Sequence, residues 1–300
     1  MAVIGIERAW VAKQLPPRGP RSHKGTFGRV LAVAGSLEYA GAALLAGLGA
    51  ARSGAGLVCL ATPESLGLRL IGEVPELTML LLQEEAAGLT GPVGWRRLST
   101  EAAHYEAVVV GPGLGRQPST LRRTRNLIGE LRVPTVVDAD GLNALAESDR
   151  WWRSVSTQLV LTPHVGEFAR LSKGSEMARL ADDDRYRIDR ARDAAILWGQ
   201  VVVLKGAHTV VADPDGEVMV SEVATPALST AGSGDVLAGS IAAFLASGCE
   251  PRVAAGLGVA VHGAAGLLAE ARIGRAGTMA RDIANLLPEA IESLRTDRTR

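Results

Sequence analysis

"PTVVDADGLNAL", Pro134–Leu145, packs a strand, a polar hinge and the start of a helix into one short stretch. Thr135, Val136 and Val137 form an apolar run without polar alternation, the pattern of a strand buried on both faces. Two carboxylates, Asp138 and Asp140, stand where the run ends, and Leu142 and Leu145 then take up helical spacing. The scheme recurs on either side. "AVVVGPGLG" (Ala107–Gly115) is a strand running into a glycine turn, with a helix over Leu121–Leu131 after it. "QLVLTPHVGEFARL" (Gln158–Leu171) repeats the pattern, and "ARDAAILWGQ" (Ala191–Gln200) is a helix feeding the strand of "VVVLKG" (Val201–Gly206). Upstream, "RVLAVAGS" (Arg29–Ser36), "AGAALLAGLGAARSGAG" (Ala40–Gly56) and "LVCLAT" (Leu57–Thr62) read as strand, helix and strand. Buried strands alternating with helices, joined by right-handed crossovers, predict a three-layer α/β fold: a mostly parallel central sheet covered by helices on both faces.

The rhythm changes near the end. "HTVVADPDGEVMVSE" (His208–Glu222) alternates around Asp-Pro-Asp-Gly, a hairpin signal. After Gly248 the pattern is helical out to Leu294. The first 24 residues, rich in Pro and Arg, read as a helix-like arm and an extended lead-in. With no internal repeat and no domain-length linker, the expectation is a single domain over residues 1–300 with a lead-in of about 1–24.

Composition narrows the functional classes. The 300 residues are 47% hydrophobic and 21% charged, with zero formal net charge. Neutrality leaves no obvious source of the positive field that nucleic acid or an anionic membrane surface requires. Lysine is scarce, only Lys13, Lys24, Lys173 and Lys205. Cys59 and Cys249 sit in apolar surroundings with no Cys/His cluster, so a structural zinc site is not expected. The N-terminus lacks the shape of a signal peptide, and no apolar run of about 18 residues is free of turn signals. A reduced, cytoplasmic location is the resulting expectation.

In a doubly wound sheet, ligands sit beyond the carboxyl ends of the strands. Five polar clusters fall at such ends: Gly35-Ser36, Gly111 to Gly115, Asp138 to Asp140, His164 to Glu167, and Lys205-Gly206. The fold would bring them onto one rim. A sixth feature is "TAGSGDVLAGSIAAFLASG" (Thr230–Gly248). Gly232, Ser233 and Gly234 precede an apolar helix starting near Asp235. A helix start leaves backbone N–H groups unpaired and partly positive, and glycines let them approach a phosphate closely. The chain has neither a Walker A loop nor a Gly-x-Gly-x-x-Gly fingerprint. Asp235 reads either as a first-turn residue favoured by the helix dipole or as a base beside an anion hole.

Several stretches, in order, resemble the NAD(P)H-hydrate dehydratases of the ribokinase-like superfamily. They are "SHKGTFGRVLAVAGS", "GAALLA", "ARSGAGLV", "VVVGPGLG", "VVDADGLN", "LTPHVGEFARL", "VVLKGAHTVV" and "AGSGDVLAG". The resemblance covers roughly Ser22 to Leu287. Some members carry a fused epimerase domain, and nothing of that size is present in these 300 residues. The resemblance implies nucleotide-dependent removal of water from the S-epimer of hydrated NADH or NADPH. ADP is the favoured donor, with ATP as the alternative, and Mg²⁺ assists. It further implies a homo-oligomer, a tetramer among the options.

It also implies roles for single residues. Asp235 would activate the ring hydroxyl, and Gly232, Ser233 and Gly234 would hold the transferred phosphoryl group. Lys205, Gly206, Ala207, His208 and Thr209 match the segment that holds the AMP part of the nucleotide. Ala42, Gly113, His164 and Asp235 match substrate-side positions. Glu167 matches an acidic residue acting on Mg²⁺ through water, and Asp138, Asp140 and Asn143 stand where they could position metal or substrate. Local readings compete at each place: a helix alanine at position 42, a tight turn at Gly113, a structural histidine at His164, an N-cap at Asp140. Two departures from the family pattern, Val165 after the histidine and Leu228-Ser229-Thr230 before the anion hole, bear on nucleotide preference. Two other readings compete: a ribokinase-like small-molecule kinase that releases its phosphorylated product, and a non-catalytic nucleotide-binding regulator, which the aspartate at position 235 disfavours. "TPHVGEF", "GPGLG" and "SHKGTFGRV" together favour the dehydratase.

Overall fold

The computed structural model describes residues 3–174 and 177–295. β1 (Val3–Gly5) and α1 (Arg8–Gln14) lead into β2 (Arg29–Val33), α2 (Ala40–Arg52), β3 (Leu57–Pro63), α3 (Glu64–Leu70) and β4 (Thr78–Leu82). A small hairpin, β5 (Glu84–Ala86) and β6 (Leu89–Thr90), and α4 (Pro92–Glu101) follow. Next come β7 (Ala107–Val110), α5 (Pro118–Glu130), β8 (Thr135–Val137), α6 (Asp140–Ala146), β9 (Leu159–Leu161) and α7 (Val165–Ser172). The chain continues through α8 (Met177–Asp182), α9 (Asp184–Trp198), β10 (Val201–Leu204), β11 (Val210–Ala212) and β12 (Val218–Val220). It closes with α10 (Ser233–Ala246), α11 (Pro251–Arg272) and α12 (Ala280–Arg295).

Among the described residues, ten strands form one sheet in the order β1-β12-β11-β10-β9-β8-β7-β2-β3-β4. Every pairing is parallel except those of β11, the inner strand of the predicted hairpin. Alternate side chains of each strand enter opposite layers, as strand geometry requires. Val30, Ala32, Val58, Leu60, Val109 and Val136 pack beneath α1, α2, α10, α11 and α12. Leu31, Val33, Cys59, Val108, Val110 and Val137 pack beneath the helices of the opposite face, α4 to α9. The three-layer expectation holds.

The chain winds outward from β2 through β3 to β4, then restarts at β7 and winds the other way to β10. The strand order therefore reverses between β2 and β7. There the loops leaving neighbouring strands diverge and open a crevice at their carboxyl ends.

Helices α2 and α10 cross above this crevice at backbone distance. A methyl group on Gly49 would run into the carbonyl oxygen of Val236, and one on Gly239 into that of Ala46. The Ser53 and Ser240 hydroxyls meet at 2.7 Å in the buried seam.

Two expectations need correction. The lead-in is not only an arm, because β1 extends the sheet, pairing in parallel with β12, and α1 buries Val11 and packs on α11 and α12. The second concerns apolar runs: although Gly256, Gly258, Gly263 and Gly266 interrupt it, α11 has 22 residues and is apolar and long enough to cross a membrane by length and composition. In this fold it is a core helix, with 72% of its apolar window buried inside the protein.

Candidate active site

The crevice between β2 and β7 is floored by two glycine turns. The Gly35 N–H donates to the Pro112 carbonyl at 2.7 Å and ties the two loops together. Gly111 and Gly113 have φ of +127° and +63°, conformations that side chains rarely adopt. A methyl group on Gly113 would lie 2.7 Å from Ala42 Cβ and 2.8 Å from Tyr39 Cβ. The two residues expected on the substrate side, Ala42 and Gly113, thus pack directly on each other, with no room for a side chain at position 113.

One strand over, Ala139 follows β8 at φ +48° and ψ −116°, a strained backbone for alanine. The kink separates the two aspartates. Asp138, buried, receives the Lys205 ammonium at 2.7 Å. Asp140 is not the helix cap that its sequence position allowed, since Ala139 is the N-cap residue and Asp140 the first residue of α6. Its carboxylate instead accepts from Gly115 N–H at 2.9 Å, Arg116 Nε at 3.2 Å and Asn143 Nδ2 at 3.0 Å. It pins the 111–116 loop. Asn143 passes the network on by accepting from Arg170 Nε at 3.0 Å.

At the end of β9, His164 caps α7. Its Nδ1 accepts from Gly166 N–H at 3.0 Å, while Glu167 Oε2 accepts the His164 N–H at 2.8 Å, a reciprocal capping box. Nδ1 is therefore an acceptor, which places the imidazole proton on Nε2, 3.5 Å from Glu167 Oε1. Burial pulls the His164 pKa below its ordinary value against the opposing pull of Glu167. The structural role considered for this histidine is realised, and its ring still borders the cleft described below. Glu167 Oε2 also lies 3.7 Å from Lys205 Nζ. Burial works against the Lys205 ammonium, but Asp138, Glu167 and Asp235 together outweigh it and hold the pKa above its ordinary value.

Gly232, at φ +86°, turns the chain into α10. Its Cα faces Leu45 of α2, and a methyl group there would also come within 3.7 Å of Asp235 Oδ2. A methyl group on Gly234 would sit 3.2 Å from Lys205 Nζ and 3.7 Å from Asp138 Oδ2. The N-terminal turn of α10 therefore lies directly over the Lys205–Asp138 pair. Asp235 ends this turn. Burial, then the nearby Asp138 charge, raises its pKa to about 7, with Lys205 acting in the opposite sense.

On the far side of that turn opens a cleft of about 770 Å³. Lys205, Gly206, Ala207 and Thr209 form one wall, and Ser233, Gly234 and His262 another. His208 points elsewhere: at φ +53° it turns its Nδ1 to Asp184 at 3.0 Å. The loop is held from behind by Arg187, a buried side chain on α9 that donates to the Ala207 carbonyl and, at 3.2 Å, to the Leu204 carbonyl. The Thr209 hydroxyl donates to the Gly206 carbonyl at 3.0 Å. Arg187 and His262 were missed in the sequence. Arg187 is one arginine in a charge-rich helix, whereas His262 carried a signal, a lone polar ring in an apolar helix. Ala42, Gly113 and Asp235 do not border this cleft. Ser233 and Gly234 of the turn face this cleft, and Gly232 packs on Leu45 of α2, the helix that carries Ala42.

No group of three or more His, Cys, Asp or Glu side chains is placed to hold a metal ion among the described residues. Glu167 is committed to the cap and to Lys205. The donor set suits a Mg²⁺ that arrives on nucleotide phosphates with its waters, the habit of this ion. Asp138 and Glu167, both beside Lys205 Nζ, are the carboxylates that would hold its waters.

A family model described as NAD(P)H-hydrate dehydratase matches residues 30–289. The chain belongs to the NAD(P)H-hydrate dehydratase family. A bifunctional NAD(P)H-hydrate repair enzyme, Nnr, of Moorella thermoacetica is 42% identical over 289 residues, covering 96% of this chain and 54% of its own. The chain spans about half the length of the first curated relatives it matches. An ADP-dependent (S)-NAD(P)H-hydrate dehydratase of Xanthomonas campestris is 38% identical and covers 94% of each chain. The crystal structure of an ADP/ATP-dependent NAD(P)H-hydrate dehydratase from Bacillus subtilis, co-crystallised with ATP/Mg²⁺, superposes with a TM-score of 0.82. It shares 32% identity and covers 98% of this chain and 99% of its own. The sheet order and layers of this dehydratase-family chain are ribokinase-like.

Proposed function

We propose that this protein regenerates NADH and NADPH by dehydrating their S-hydrates at the expense of a nucleotide, with ADP the favoured donor. The observation that carries this reading is the place of Asp235. A carboxylate whose pKa is raised to about 7 ends a glycine-rich helix start whose Ser233 and Gly234 line a cleft that suits a nucleotide and whose Gly232 packs on α2, the helix that carries Ala42.

The residues divide the work. The 205–209 loop, braced by Arg187, binds the AMP part of the nucleotide. The backbone N–H groups of Gly232 to Gly234 receive the terminal phosphoryl group, and the Lys205 ammonium lies beneath them. Phosphoryl transfer is mostly positioning and charge neutralisation. Mg²⁺, when bound, neutralises and orients the phosphates. Asp235 in its ionised form takes the proton of the ring hydroxyl, a task suited to a base poised near neutrality. Hydroxide is a poor leaving group, whereas the phosphate ester formed is a good one. The ring nitrogen expels it, and loss of a neighbouring ring proton restores the dihydronicotinamide. Ala42 and Gly113, packed on each other, present a flat small-residue surface to the ring, and His164 stands at the rim with its Nε2 proton available.

The ADP-dependent Xanthomonas relative, similar over its whole length, supports the choice of donor, and the ATP/Mg²⁺ complex of the Bacillus relative supports the metal. A single domain, a homo-oligomeric assembly and a cytoplasmic location belong to the same reading, on the strength of the family resemblance. The test uses purified protein, Mg²⁺ and enzymatically hydrated NADH, with ADP or ATP in separate cuvettes. Return of dihydronicotinamide absorbance with release of phosphate is expected, faster with ADP. Nucleotide binding without recovery would reject the dehydratase in favour of a small-molecule kinase.

A further inference from the structure

His262 is the polar exception on α11, whose other buried positions are Ala, Gly, Val and Leu. The residue is only 7% exposed. A polar group withdrawn from water without a partner costs about 1–3 kcal/mol. The partner here is Ser233, the middle residue of the anion-hole turn: its Oγ lies 3.1 Å from His262 Nε2, and it too is buried. Both residues belong to the wall of the nucleotide cleft, beside Gly234. None of the roles assigned above uses the imidazole.

The charge state of His262 is settled by its surroundings. Burial drives its pKa down to about 4, a contact with the Ser233 backbone opposes the shift, and Lys205 adds to it. The ring is neutral at physiological pH and carries one N–H. With that proton on Nδ1, Ser233 would have to donate its own hydroxyl proton to Nε2, and nothing would remain for a ligand. With the proton on Nε2, the serine oxygen accepts, and its O–H is free to turn into the cleft. A phosphoryl group offers only acceptors, so the second arrangement is the one that a phosphate site rewards.

We propose that His262 is a positioning residue that donates its Nε2–H to Ser233 and so aims the Ser233 hydroxyl at the phosphoryl group held in the anion hole. The hydroxyl adds a side-chain donor to the backbone N–H groups of the turn, without a positive charge that would retain the departing phosphate. The inference rests on the nucleotide-dependent reading of the cleft.

The test compares ADP with AMP, because only ADP carries the group at which the hydroxyl is aimed. Binding of each to the purified protein with Mg²⁺ is measured by calorimetry for Ser233→Ala, His262→Leu, the double variant and His262→Gln. Turnover is measured on hydrated NADH. In the first two variants AMP affinity is expected to stay within about twofold of wild type, while ADP affinity and turnover fall about tenfold, the worth of one hydrogen bond to a charged group. The double variant is expected to be no worse than the poorer single one, the signature of residues that act as a unit. His262→Gln, which keeps a neutral donor, is expected to recover most of the loss. Parallel losses of AMP and ADP affinity would reduce His262 to a packing residue and overturn the proposal, as would single losses that add in the double variant. Wild-type protein that prefers ADP through this pair yet restores no dihydronicotinamide would reject the activity and leave the pair in place. Normal turnover in both single variants would do the reverse.

Discussion

In the proposed reaction Asp235 sets both the chemistry and the pH response. Asp235→Asn keeps the glycine turn and the cleft but has no base to offer, so turnover on hydrated NADH is expected to fall by at least about 10³, within the range of losing a positioned base. ADP binding, followed by calorimetry, is expected to persist. Turnover of the wild type is expected to rise with pH and level off above about 7, because only the ionised carboxylate accepts a proton. Lys205 favours that ionised form, so Lys205→Met is expected to move the acid limb of the pH–rate profile to higher pH. The same shift acts on stability. From its ordinary value of 3.8 to about 7, the folded protein holds a proton on Asp235 that the unfolded chain has released. Stability from this group therefore falls as pH rises through that window. Asp235→Asn removes the slope, and its melting temperature relative to wild type is expected to be higher at pH 8 than at pH 4. This aspartate was visible in the sequence because glycines and an apolar helix frame it. Its proximity to Asp138 and Lys205, which arrive from two other strands, was not.

The elements that position the site differ in how plainly they could be read. β2 after Arg29, β7, β9 and β10 are unbroken runs of Val, Leu and Ala, β8 adds only Thr135 to two valines, all are buried on both faces, and the polar residues at their ends mark the rim. β1 escaped notice because a three-residue edge strand, Val3–Gly5, has no periodicity to show. The span from α3 to α4 stayed unassigned because its short elements mix polar and apolar residues without a sustained period. Arg187 could not be told from its neighbours on α9, since what sets it apart is burial under the 205–209 loop. The turn after β7 offers an element-level test. Gly113→Ala places a methyl group against Ala42 and Tyr39 on a backbone at positive φ. It is expected to destabilise the fold by about 1–3 kcal/mol. It is also expected to raise KM for the hydrated dinucleotide at least tenfold, leaving ADP affinity, measured separately, near wild type.

At the scale of the molecule, one face of the sheet depends on residues 3–14. β1 covers β12, Val11 is fully buried, and Trp10 packs against Gly256 of α11. Deleting residues 1–14 would expose that seam and leave β12 as an open edge. The expected result is a melting temperature lower by roughly 10 °C and a loss of soluble yield, checked by thermal denaturation of the truncated chain. The close crossing of α2 and α10 has a different consequence. Ala42 and Leu45 ride on one helix and Gly232 to Asp235 begin the other, and the two backbones touch at Gly49 and Gly239 with no side chains between them to yield. The wall proposed for the ring and the turn proposed for the phosphoryl group thus ride on two helices locked together. When donor and acceptor are both seated, their separation is already set. The barrier then need include little protein reorganisation, and a single methyl group on the far side of either helix, well away from the chemistry, would suffice to spoil the alignment.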